Sequence, residues 1–152
     1  LRHKRRFPYL NHGAADALAI RHVWHSRRFP RLSWHLVPGN FREVLTQAPA
    51  GPDFIFYDMF SSKTHGDEWT LAAFQSLLDA LQEKPCALFT YSTSTAVRAA
   101  LLAAGWHVAR GAGTGVKTET TIALTPAAAP GPWPRLGASW LARWERSHVQ
   151  YP

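Results

Sequence analysis

Asp53-Phe54-Ile55-Phe56-Tyr57-Asp58 is a nearly continuous apolar run, rich in aromatic residues and bounded by two carboxylates. Such a run reads as a strand covered on both faces, at the centre of a parallel sheet. Working downstream, Thr70 can cap a helix in which Leu71, Phe74, Leu77, Leu78 and Leu81 form one stripe, and Pro85 stops it. Residues 86–91 form a second buried strand, residues 92–94 offer N-caps, and Val97, Leu101 and Leu102 line a helix that Gly105 closes. Residues 106–110 and 120–124 then read as an antiparallel hairpin around a glycine-rich loop, residues 111–118.

Upstream of the run, residues 14–26 place Ala17, Ile20, Val23 and Trp24 at helical spacing. Residues 32–37 alternate as a short strand ending at Pro38-Gly39, and Asn40 reads as the N-cap of a helical turn over residues 41–45. Residues 126–134 form a stiff Pro/Ala linker before a terminal helix within 135–146, so the chain divides into 1–125 and 126–152. Alternating strands and helices ending in a hairpin describe a doubly wound α/β sheet with its last strand reversed. In such sheets ligands sit outside the carboxyl ends of the strands, which directs attention to residues 39–41, 58–62 and 91–94.

Composition bounds the function. The 152 residues are 46% hydrophobic and carry 7 Trp, 8 Phe and 4 Tyr, which excludes a disordered chain. The single Cys86 excludes an internal disulfide framework and fits a reducing compartment. No apolar run is long enough to span a membrane and no secretory signal opens the chain, so the cytoplasm is the expected location. A net charge of +7 points to a polyanionic partner. The opening Leu1-Arg2-His3-Lys4-Arg5-Arg6 reads either as a nucleic-acid arm or as a solvated terminus.

Asp58 would emerge at the ligand-binding edge, followed by the hydroxyls of Ser61 and Ser62; the alternative is a carboxylate that only caps its own loop. Trp69, directly before a helix, could pack in the core or stack on a base. Gly111, Gly113 and Gly115 precede a strand rather than a helix, so a hairpin turn accounts for them better than a phosphate loop. His22 and His25 lie three apart on one expected helix, but without a Cys pair, an H-E-x-x-H motif or a carboxylate cluster no metal site is expected. Ser61 and Ser92 lack the context of an activated nucleophile.

The run from Asp53 to Ser61, then Lys63 and Asp67-Glu68-Trp69-Thr70, resembles the signature of the MnmC-like methyltransferases. Phe89-Thr90-Tyr91-Ser92, Val97-Arg98 with Leu101, Ala104-Gly105, and Gly113, Gly115, Lys117 and Glu119 before Ile122-Ala123 follow in that family's order, over residues 38–125. The resemblance implies a Rossmann-like class I methyltransferase fold that uses S-adenosylmethionine to methylate the aminomethyl group of a modified wobble uridine in tRNA. It implies Asp58 as the catalytic carboxylate, a group able to orient the acceptor amine and help take up its proton. Gly39, Asn40 and Phe41 would hold the adenine, with Asn40 in place of the usual aspartate, and Met59 would narrow the donor pocket where relatives have glycine. Phe60, Ser61, Lys63, Trp69, Tyr91 and Lys117 would meet the acceptor. Neither a metal nor a covalent intermediate is required.

That fold begins with a strand, a glycine-rich E/D-x-G-x-G turn and an acidic residue for the ribose. Before Gly39 the chain has only Asp16 and Gly13. The expectation is therefore the later strands of the sheet, with half of the donor site upstream or missing. Two other readings stay open: a nonenzymatic basic RNA-binding module, and a methyltransferase of the same fold for a small-molecule amine.

Overall fold

The computed structural model describes residues 13–47, 51–60, 66–81, 83–115 and 117–149. The basic stretch at residues 1–6 and the loop residues Ser61 and Lys63 lie outside them. The chain divides into two compact units, Leu1–Gln47 and Ala48–Pro152.

The first unit opens with helix α1, Ala14–Arg21. It ends sooner than the spacing predicts, because His22 takes a left-handed conformation (φ 59°) and its N–H closes on the Leu18 carbonyl. Val23 and Trp24, β-prone residues assigned by spacing to that helix, instead belong to strand β1, Val23–His25. It pairs antiparallel with β2, Ser33–His35, in the register Trp24↔Trp34. His22 and His25 therefore do not share a helix. Asn40 caps the short helix α2, Phe41–Val44, its side-chain oxygen accepting the Arg42 N–H at 3.0 Å as the sequence predicts.

The second unit holds β3 (Phe54–Phe56), α3 (Leu71–Ala80), β4 (Ala87–Thr90), α4 (Thr95–Ala103), β5 (His107–Thr114), β6 (Lys117–Leu124) and α5 (Ala138–Glu145). Its sheet has the order β3-β4-β6-β5. β3 and β4 are parallel, and β6 is antiparallel to both β4 and β5, so the hairpin's return strand is inserted between two strands running the same way. This is a mixed α/β sheet, in keeping with the later strands of a Rossmann-like sheet that the sequence leads one to expect.

Two sequence expectations are corrected here. Strand β3 is not central: among the described residues it pairs only with β4, and Phe54 and Phe56 are 63% and 82% exposed. Only the alternate face is covered, through Tyr57, which packs on Trp69 and on Phe74 of α3. The glycine-rich loop is also largely strand, since pairing continues to Thr114↔Lys117. Gly113 is required there for close approach rather than for an unusual φ: an added Cβ would lie 2.5 Å from the Lys117 carbonyl oxygen. Only Gly115, at φ +61°, supplies a left-handed turn conformation.

Ala87, Ala109, Ile122 and Leu124 form the buried cluster on one sheet face, and the Pro/Ala-rich segment lies on it through Ala128 and Trp133. The segment continues along β5, with the Arg110 N–H donating to Pro134 and the Leu136 N–H donating to Val108. The far edge of the sheet is thus hydrogen-bonded, and Leu136 precedes α5 instead of lying within it.

Candidate functional site

Asp58 and Tyr91 follow the carboxyl ends of the parallel neighbours β3 and β4. They open into one cleft of about 190 Å³, also lined by Phe56, Phe89, Thr114 and Thr120. The two threonines come from the β5–β6 hairpin, Thr114 at its tip and Thr120 opposite Gly111, with the strands in close approach at Gly113. Lys117 donates to the Tyr91 carbonyl at 2.8 Å and so ties the hairpin to the end of β4. Phe56 stacks on Phe89 with centroids 5.7 Å apart, giving the cleft a flat apolar wall beside an exposed carboxylate.

Trp69 is placed differently from the stacking alternative. It is 4% exposed, edge-on to Tyr57, and its indole N–H donates to the Phe60 carbonyl at 2.8 Å. The Tyr57 hydroxyl donates to the Glu68 carbonyl. These two bonds clamp the turn at residues 66–69 to the segment around Asp58, so Trp69 positions that segment and offers no open face to a base. The Phe60 side chain is exposed and Met59 half-buried. One Glu68 carboxylate oxygen is buried with no hydrogen-bond partner among the described residues. Sequence places Glu68 in the signature-like run of residues 67–70 but gives it no role of its own.

The structure thus brings Asp58, Tyr91 and, through its backbone bond, Lys117 together. Gly39, Asn40 and Phe41 lie in the first unit, where Gly39 has φ 150° and approaches the Val44 side chain closely. Cys86 is buried directly before β4, and burial pushes its thiol above the usual range against the pull of Lys84. It takes no part in the cleft. Among the described residues no three His, Cys, Asp or Glu side chains gather into a metal-binding group, and no helix is long and apolar enough to cross a membrane.

Residues 17–126 match the model of a family described as S-adenosyl-L-methionine-dependent methyltransferase. The chain belongs to that family. S-adenosyl-L-methionine is the cofactor that membership implies. The chain is also similar to the crystal structure of MnmC2 from Aquifex aeolicus, with 25% sequence identity and a TM-score of 0.68. The match covers 89% of the present chain and 43% of that structure, so this chain spans less than half of its neighbour's length. No match was found among the curated proteins.

Proposed function

We propose that this chain forms the acceptor side of an S-adenosylmethionine-dependent amine methyltransferase, and that its acceptor is the aminomethyl group of a modified wobble uridine in tRNA. The observation that carries the reading is Asp58, exposed at the carboxyl end of β3 and opening into a cleft with a flat aromatic wall. The resemblance to MnmC-like enzymes supports the tRNA assignment.

The cleft is below the roughly 300–1,000 Å³ usual for drug-sized ligands, which fits the reacting amine and the donor's methyl end rather than the whole donor. When bound, the donor supplies an electrophilic methyl on a sulfonium that leaves as a neutral thioether. The chain's own residues do the rest. The acceptor nitrogen must approach with its lone pair free, and the Asp58 carboxylate can accept an N–H hydrogen bond that fixes that orientation. As the N–C bond forms, the nitrogen loses a proton to Asp58 or to water held by it. Tyr91, its carbonyl fixed by Lys117, completes the wall. The Asn40 side-chain oxygen already accepts the Arg42 N–H, so its amide nitrogen is the donor that an adenine contact would use.

Mass spectrometry of tRNA lacking the terminal methyl, incubated with S-adenosylmethionine and this chain joined to a glycine-rich donor-binding half, is expected to show a gain of one methyl on the wobble uridine. Asp58→Asn should slow this by about 100-fold or more. Methylation of small amines but not of tRNA would replace the acceptor; undiminished transfer by Asp58→Asn would remove the carboxylate from the chemistry.

A further inference from the structure

The surplus charge is not spread over the chain. Residues 1–47 contain nine Lys and Arg against two Asp and Glu, whereas residues 48–152 contain eight of each. The unit that holds the Asp58 cleft is formally neutral, and the whole +7 belongs to the other one. Within its described part, residues 17–42 include Arg21, Arg27, Arg28, Arg31 and Arg42 and no acidic residue.

Aromatic rings lie among these charges. The connection between β1 and β2 is closed by backbone bonds from Ser26 to Leu32 and from Leu32 to Phe29, and the Phe29 N–H donates to the Ser26 hydroxyl. Phe29 is 55% exposed, with the Arg28 guanidinium 5.3 Å from its ring centroid. Trp34 is 46% exposed beside Trp24, with centroids 5.4 Å apart. Arg21, Arg27, Arg28, Trp24, Phe29 and Trp34 border one open cavity of about 780 Å³.

We infer that this β-hairpin face is a docking surface for an unpaired segment of RNA, with the arginines against phosphates and Phe29 and Trp34 against bases. Charge alone would suit any polyanion. Exposed flat rings interleaved with arginines suit bases that are already unstacked, because every base offers a π-face while a paired helix hides it. An acidic protein would use the charges and leave the rings in water. The choice of RNA rests on the tRNA acceptor proposed above, but the binding surface and the methylation cleft use different residues.

Fluorescence anisotropy of a labelled single-stranded RNA with the full chain, over a range of salt, tests this. Each phosphate contact contributes about 0.7 to the slope of log affinity against log salt, so replacing Arg27, Arg28 and Arg31 together by Gln should lower the slope by about 2. Replacing the three by Lys should keep it. Phe29→Ala, at an exposed position, should weaken binding about 5-fold or more and leave the slope unchanged. Binding unaffected by both the Gln and the Ala variants overturns the proposal. So does equal competition by polyglutamate, which has charge and no bases. RNA binding with this pattern but no methyl transfer, even with the donor-binding half joined to the chain, leaves the surface standing and overturns the catalytic reading; transfer that disappears in Asp58→Asn while RNA binding persists supports both.

Discussion

Arg98 shows how one residue ties three elements together. It sits on α4 with a side chain only 5% exposed, donating to the Glu119 carboxylate and the Thr121 hydroxyl, each at 2.9 Å, and to the Thr120 carbonyl at 3.1 Å. All three guanidinium nitrogens donate to β6, and Arg110 approaches the other Glu119 oxygen at 3.7 Å. Removing the guanidinium leaves a half-buried carboxylate and two oxygens without their charged donor. Arg98→Met should therefore cost about 2–4 kcal/mol, lowering the melting temperature in a calorimetric scan by on the order of 10 °C. Arg98→Lys should recover only part, since one ammonium cannot reproduce the fork. A melting point within 2 °C or so of the unaltered chain would show that the network contributes little. This role was not legible in sequence: a basic residue between Val97 and Leu101 looks like the solvent side of a helix, and its partners lie more than twenty positions away. The position of Asp58 was legible, because the apolar run places that carboxylate just beyond the carboxyl end of β3. Trp69 was read only in part, since sequence places an indole before the helix but does not say which way it faces.

At the scale of elements, hydrophobic period and caps located the second unit's helices and strands, Thr70 capping as read, as Asn40 does in the first unit. The errors have a common physical origin, because an apolar run reports that a segment is strand-like but not how many neighbours it has. Phe54 and Phe56 made β3 look doubly covered although one side pairs with nothing described. The glycines of the hairpin misled in the opposite direction, being read as loop when Gly113 is needed for the narrow gap between paired strands. Gly113→Val should force β5 and β6 apart at the tip, where the obstacle is the backbone of Lys117 and Thr118 and cannot rotate away. The expected cost is about 1–3 kcal/mol of stability, together with loss of methyl transfer at temperatures where the protein remains folded, because Thr114, Thr120 and the Lys117 bond to Tyr91 move with the tip. Gly115→Ala strains only a turn, at about 1–2 kcal/mol, and should leave transfer nearly intact. Equal activity losses in the two variants, measured below both melting points, would separate the hairpin tip from the cleft.

For the whole molecule, the uneven charge is matched by an uneven core. The buried apolar side chains described in the first unit are Ala14 and Ala17, whereas the second buries Tyr57, Trp69, Phe74, Leu77, Leu88, Leu101 and Trp106 among others. Burying one large apolar side chain stabilises by about 1.5–3 kcal/mol, so among the described residues of the first unit two buried alanines and a three-residue strand pair offer little to set against repulsion between its like charges. Local opening of β1 and β2 should thus cost far less than global unfolding. Hydrogen exchange followed by mass spectrometry is expected to show amides of residues 23–35 exchanging at least 100-fold faster than those of β4 and β6. Added single-stranded RNA should slow the first group and leave the second unchanged, because a ligand that binds only the closed form stabilises it in proportion to the logarithm of its concentration above Kd. Raising salt in the absence of RNA should also slow exchange in residues 23–35 by screening the arginines from one another, while in the presence of RNA it should speed exchange by weakening the phosphate contacts. Opposite responses to salt in the two conditions would separate a unit held by its ligand from one held by its own core; uniform protection across both units would show that the small one draws its stability from elsewhere.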